Sequence, residues 1–225
     1  MKDHDLRAKV MHGQEIIDMI HQLQPNCLVN NRLAQTFDYN TPEQKIPAGK
    51  SNDPFEVCMT LNKHWGYYAG DEEWKSTTTV VRTFVDIASK GGNFLLNVGP
   101  TGEGIIPAGS AARLHEVGAW LKTNGEAIYG TAASPLGQLA WGRCTKKISA
   151  DGTTLYLHVF DWPADGKLVV PGVRDPVISA TLLATRGALA TSVNDSGITI
   201  AVPARAPDPL STTIALKLKT PRAAR

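Results

Sequence analysis

Residues Lys90–Tyr129 read KGGNFLLNVGPTGEGIIPAGSAARLHEVGAWLKTNGEAIY. A glycine pair, Gly91-Gly92, precedes a short apolar run from Phe94 to Val98, a strand by length and composition. Gly99-Pro100 stops that strand, and Gly102 and Gly104 prolong the loop. An amphipathic helix then runs to Asn124-Gly125. This is one strand–loop–helix unit, the repeating element of a parallel α/β fold. Such folds place ligands at the loops beyond the carboxyl ends of their strands. The loop from Gly99 to Gly104 is not a phosphate loop: no Lys-Ser/Thr follows, and the dinucleotide spacing is missed.

Working upstream, Thr77–Ser89 carries Val80, Val81, Phe84, Val85, Ile87 and Ala88 at helical spacing. Lys63–Lys75 reads as a loop holding Trp65, Tyr67 and Tyr68, and Phe55–Leu61 as a strand. Thr36–Asp53, with Pro42, Pro47 and Gly49, reads as a long polar loop of the kind that is usually functional. Cys27–Val29 is an apolar run that predicts a buried strand. Gln14–Gln24 has Ile16, Ile17, Met19, Ile20 and Leu23 on one helical face, and Pro25 ends it.

Downstream of Tyr129 the pattern changes to short alternating runs: Thr154–Phe160, Leu168–Val170, Ala180–Ala184, Gly197–Val202 and Thr213–Leu218. Asp151-Gly152, Asp165-Gly166, Pro171-Gly172 and Ser196-Gly197 punctuate them, the pattern of a small antiparallel sandwich. The expected fold class is therefore α/β plus β. A partial (β/α) TIM-like barrel over residues 1–132 is followed by a β-sandwich over 133–225, with the boundary near Gly130–Pro135. The tail, Thr220–Arg225, is expected to fray.

The totals narrow the function classes. A chain of 225 residues, 42% hydrophobic and 20% charged, predicts a soluble globule. Its formal net charge of +2 gives no argument for nucleic acid or an anionic membrane as a partner. No run approaches the roughly 18 apolar residues of a membrane span. Met1-Lys2-Asp3-His4-Asp5 is charged and does not read as a signal peptide, which leaves the cytoplasm as the default location. Cys27, Cys58 and Cys144 are too dispersed for a disulfide framework, and the histidines lack ligand spacing, so no metal and no cofactor is expected.

Arg32, Glu43, Glu56, Trp65 and Tyr67 all sit at or just beyond strand ends, where the loops of a barrel converge. Carboxylates and a guanidinium bond sugar hydroxyls, and an aromatic ring covers the apolar face of a pyranose. Glycoside hydrolysis needs two carboxylates. Each residue also has a plainer reading. Glu43 could be an exposed loop residue, Glu56 could pair with Arg32 or a backbone donor, and Trp65 and Tyr67 could plug the core under their loop. His64, beside Trp65, is placed to reach a sugar hydroxyl. Asn93 and Asn97 read as ligands of loop backbone, and Trp74, Trp120, Trp141 and Trp162 as packing residues.

Several motifs occur in a fixed order: Met19–Pro25 (MIHQLQP), Asn30-Asn31-Arg32, Thr41-Pro42-Glu43-Gln44, Glu56–Thr60 (EVCMT), Trp65-Gly66-Tyr67 and Lys75-Ser76. Ser89–Asn93 (SKGGN), Leu95–Pro100 (LLNVGP) and Asn124–Tyr129 (NGEAIY) follow. Over roughly residues 13 to 135 this set closely resembles the α-L-fucosidases of glycoside hydrolase family 29. The resemblance implies a retaining hydrolase in which an Asp attacks the anomeric carbon and a Glu acts as acid, then base. It implies that Arg32 binds the sugar, that Glu43 is the acid/base and that Trp65 covers the methyl side of fucose.

Family members are about twice this length, and their first half supplies the pocket histidines and a Trp-Phe-Asp-Gly-like nucleophile motif. No Trp-Phe-Asp or Trp-Leu-Asp occurs in this chain. Three readings follow. Another carboxylate could serve as nucleophile: Asp38 or Glu56, with Asp3 and Asp5 behind them. Two chains could associate to rebuild the pocket, since a partial barrel exposes strand edges and points to a homo-oligomer. Or the chain is a fragment, or a carbohydrate-binding module without catalysis. The expected substrate is a fucosylated glycan or small fucoside.

Overall fold

The structure, a computed structural model, describes residues 10–33, 37–49, 51 and 53–219. Asp3, Asp5 and the tail expected to fray lie outside the described residues. The elements run α1 (Gly13–Leu23), β1 (Glu56–Thr60), α2 (Thr77–Ser89), β2 (Asn93–Asn97), α3 (Ala108–Asn124) and a 3-10 turn (Gly125–Ala127). Seven strands follow: β3 (Gly142–Ser149), β4 (Gly152–Val159), β5 (Lys167–Pro171), β6 (Val177–Leu182), β7 (Thr191–Asn194), β8 (Gly197–Ala201) and β9 (Thr212–Leu218).

Strands β1 and β2 pair in parallel across the α2 crossover, with Glu56 opposite Asn93, Cys58 opposite Leu95 and Thr60 opposite Asn97. Helix α2 is rich in β-branched residues, which are indifferent helix formers. Its start is fixed by the Ser76 hydroxyl, which accepts the Thr79 amide at 3.1 Å. Its stability comes from burial of Val80, Val81, Val85 and Ile87. Strand alternation divides β1: Val57 and Met59 pack with Phe55 and Ile87, while Glu56 and Cys58 point to the opposite face. On β2, Phe94 and Leu96 pack toward the helices, and Leu95 is exposed with Glu56 and Cys58 on the open face.

Outward of β1 the sheet continues, among the described residues, as isolated parallel bridges, Asn40 with Phe55, Glu43 with Cys58, and Asn30 with Tyr39. The buried strand expected at Cys27–Val29 is thus not a regular one. Its neighbour is broken by Pro42, which has no amide to donate, and by Gln44, whose φ of 53° turns the chain out of the extended region. In α1 only Ile17 and Gly13 are buried, and Met19 and Leu23 remain exposed.

The second half holds a four-stranded antiparallel sheet, β3-β4-β9-β6, and a three-stranded one, β5-β8-β7. Leu155, Leu157, Ile214 and Leu216 of the first share one core with Leu168, Val170, Ile198 and Ile200 of the second. Strand β4 is buried on both faces. Its other side chains, Tyr156 and His158, meet the 3-10 turn and α3, where Ala127 packs on Tyr156 and the Trp120 ring lies 6.4 Å from His158. Sequence alternation located β4, β5, β6, β8 and β9. It did not locate β3, whose Lys146-Lys147 pair masks the pattern, or β7, a short polar edge.

Helix α2 also grips this half. Arg82 donates to the carbonyls of Leu210 (3.1 Å) and Phe160 (2.9 Å) and lies over the Phe160 ring. Asp86 binds both Lys90, at 2.8 Å, and Arg143 of β3.

Candidate active site

The open face of the β1–β2 pair forms one wall of a cavity of about 420 Å³. Glu56 and Cys58 enter it from β1, Leu95 and Asn97 from β2, and Trp65 from the loop after β1. Asn30, Arg32, Thr41 and Glu43 close it from the bridged outer segments. Four residues singled out in the sequence, Arg32, Glu43, Glu56 and Trp65, therefore meet in one place.

Arg32 binds the Glu43 carboxylate and also donates from Nε to the Thr41 hydroxyl at 3.0 Å. Its partner is thus Glu43 and not Glu56. Glu43 is held by the backbone on either side: Cys58 donates to the Pro42 carbonyl at 3.0 Å, and Gln44 donates to the Cys58 carbonyl at 2.9 Å. The Gln44 amide is fixed in turn, Nε2 donating to the Thr60 hydroxyl at 3.0 Å. Glu56 has no side-chain ion partner among the described residues and faces the cavity. Burial, then the Glu43 carboxylate, pushes the Cys58 thiol up, with a smaller push from Glu56 and an opposing pull from Arg32. The thiol consequently stays protonated near neutral pH.

Trp65 is anchored where the indole leaves the loop: Asn97 Nδ2 donates to its carbonyl at 2.8 Å. Asn97 therefore has the loop-binding role read from the sequence, and it also lines the cavity. Thr41, Asn30 and Cys58 were not singled out beforehand. For Cys58 the signal was available, because it follows Glu56 by two residues on the same strand.

Three named candidates are not among the residues lining this cavity. Asp38 accepts the Val29 amide at 2.7 Å and lies 4.0 Å from His21. His64 is hydrogen-bonded through Nδ1 to Asp71 at 2.7 Å. Tyr67 lines a separate groove with Tyr68 and Trp74. Asp71 also accepts the amides of Lys63, His64 and Glu73, and the His64 hydrogen bond leads in holding its carboxyl below the usual range. No group of three His, Cys, Asp or Glu able to hold a metal occurs among the described residues. No helix among them is long and apolar enough to cross a membrane.

Two carboxylates, a guanidinium and an indole thus share the open face of a parallel strand pair in a mixed α/β fold. Residues 2–126, more than half of the chain, match the sequence profile of the alpha-L-fucosidases. The chain belongs to the α-L-fucosidase family. It is 29% identical over 208 residues to the tissue alpha-L-fucosidase of Homo sapiens, a match covering 85% of this chain and 43% of that protein. It is 32% identical over 181 residues to an alpha-L-fucosidase of Dictyostelium discoideum, covering 75% and 38%. Alpha-L-fucosidase isoenzyme 1 from Paenibacillus thiaminolyticus shares its fold with a TM-score of 0.84 at 36% identity, over 92% of this chain and 54% of that one. The chain thus spans less than half the length of the curated relatives it matches.

Proposed function

We propose that this chain provides the acid/base and sugar-binding wall of a retaining α-L-fucosidase pocket. The observation that carries the reading is the convergence of Arg32, Glu43, Glu56 and Trp65 on one cavity. Its size suits a single sugar ring. Arg32 binds sugar hydroxyls and Trp65 covers the apolar face of fucose. Family resemblance assigns the acid/base to Glu43. The geometry offers Glu56 as its rival, since Glu43 must leave the Arg32 guanidinium before it can donate a proton. A retaining pair of carboxyls lies about 5–5.5 Å apart.

In this reading β1, β2 and the bridged outer segments are the late part of a (β/α) barrel, residues 1–132, and the seven later strands are a β-sandwich, 133–225. The open face of β1–β2 is then the barrel's interior. Its exposed Leu95, at 48% of full exposure, suits closure by further protein, either a second copy of this chain or another segment. The nucleophile comes with that closure or is Glu56.

One observation favours a rival reading: no Asp is among the described residues that line the cavity. A carbohydrate-binding module would bind fucose without turnover. The test is release of L-fucose from an aryl fucoside by purified protein, with fucose binding measured by calorimetry and the oligomer by size-exclusion chromatography. Turnover abolished in Glu43→Ala or Glu56→Ala supports the hydrolase. Fucose binding without turnover supports the module, and neither binding nor turnover defeats both.

A further inference from the structure

The amides of β1 donate outward in a regular register: Glu56 to the Asn40 carbonyl at 2.8 Å, and Cys58 to the Pro42 carbonyl at 3.0 Å. Each rung steps two residues along both chains, so the next would run from the Thr60 amide to the Gln44 carbonyl. At Gln44 the chain leaves the strand, with a φ of 53° in the left-handed region. The side chain of Gln44 takes the rung instead. The Thr60 amide donates to Gln44 Oε1 at 3.4 Å, and Gln44 Nε2 donates back to the Thr60 hydroxyl at 3.0 Å.

We propose that Gln44 is a positioning residue for Glu43: its side chain completes the ladder where the backbone departs, and so holds the Glu43 carboxylate in the cavity it shares with Glu56. The inference rests on the hydrolase reading of that cavity. Glu43 is confined on both sides. Pro42 before it has a φ locked by its ring, and the left-handed Gln44 follows it. A residue other than glycine keeps such a backbone only where its surroundings enforce it. Here they do: the Gln44 amide donates to the Cys58 carbonyl at 2.9 Å, and both ends of its side-chain amide are engaged.

The far end of this clamp is equally fixed. Thr60 is buried, and its hydroxyl donates to the Asn62 carbonyl, which leaves it to accept from Gln44 and sets the orientation of that amide. Lys75 Nζ donates to the Thr60 carbonyl at 2.6 Å, where a continuing strand would have supplied an amide. Gln44 and Lys75 each stand in one of the ordered motifs, Thr41–Gln44 and Lys75-Ser76, and they serve one structure. Cys58 reports on it, because it bridges Glu43 and lines the same cavity. Burial raises its thiol first, then Glu43, with Glu56 adding to the push and Arg32 opposing it.

The test follows alkylation of Cys58 by iodoacetamide across pH on the whole chain, read by peptide mass spectrometry so that Cys27 and Cys144 are told apart. Gln44→Ala should release Glu43 from Cys58, lower the midpoint and speed alkylation at about pH 8 roughly threefold, because the thiolate is the reacting form. Glu43→Gln should do the same, and adding Gln44→Ala to it should change nothing further. Thr60→Val should act as Gln44→Ala does, and Thr60→Ser should keep the wild-type profile. A thermal melt checks that each variant is folded. With an aryl fucoside, Gln44→Ala should lower kcat about tenfold at nearly unchanged KM, the mark of a displaced carboxyl. An unchanged midpoint in Gln44→Ala, or the same drop with Glu43 already replaced, would overturn the positioning role and leave the hydrolase reading standing. The expected thiol profile in a chain that releases no fucose would overturn the hydrolase reading and keep Gln44 as the residue that places Glu43.

Discussion

The guanidinium of Arg32 is bound to the carboxylate of Glu43, eleven positions further along the sequence. The pair is about half exposed on both sides and shares its cavity with Glu56. Arg32 thus already holds the Glu43 carboxylate, and under the function proposed above a sugar competes with Glu43 for the guanidinium or bridges the two.

Glu43→Gln and Glu56→Gln should separate the two carboxyl roles. Loss of a general acid/base lowers kcat by about 10²–10⁴-fold. In the variant that has lost the acid/base, the alkaline limb of the pH–rate profile should vanish, and azide should restore turnover as fucosyl azide. Rescue in neither variant would place the acid/base outside this cavity.

Arg32→Gln should weaken fucose binding at least tenfold, because charge-assisted bonds to the sugar are lost. An exposed ion pair contributes about 1 kcal/mol or less, so the melting temperature should barely move. Calorimetry with L-fucose and a thermal melt of the same sample check both halves. A large drop in stability with fucose affinity intact would show Arg32 to be a structural partner of Glu43 only.

Gly99→Ala forces a Cβ against backbone atoms, which cannot swing aside as a side chain can. The Trp65–Tyr67 loop should shift by a few tenths of an ångström or more, at a cost of about 1–3 kcal/mol. Denaturant unfolding should show the loss, and fucose quenching of tryptophan fluorescence should weaken in parallel.

His158 gives the fold an acid limb. It is fully buried, and that burial pulls its pKa from 6.5 to about 4. Its ring faces the hydroxyls of Thr145 and Thr213 and the Trp120 ring, none of them charged. The fold favours the neutral ring, so below about pH 6.5 the unfolded chain binds the proton first. Stability is full above that pH, falls as pH drops toward about 4 and then levels, a loss on the order of 3 kcal/mol. His158→Asn should be less stable at pH 7 but lose less between those limits, as urea unfolding at a series of pH values would show.

The regular elements were legible where one period dominates. Thr77–Ser89 was readable as a helix because its valines recur at helical spacing, and β4 because Leu155, Leu157 and Val159 alternate. The site was legible in membership and not in pairing. Strand alternation puts Glu56 on the open face, but nothing local says that Arg32 turns to Glu43. Tyr67 was grouped with Trp65 because they are neighbours in sequence, and the two-residue step carries it into the next groove. Asp38 looked free in a polar loop, yet it accepts the amide of Val29, nine positions earlier, a contact visible only after folding.

Helix α2 has no idle side. Val81, Val85 and Ile87 face the apolar cores of the first half, while Arg82 and Asp86 reach Leu210, Phe160 and Arg143 in the second. The later strands are therefore not an interchangeable appendage. A C-terminal half grafted from a distant relative would have to offer acceptors to Arg82 and a cation to Asp86 at this one helix, or lose these contacts.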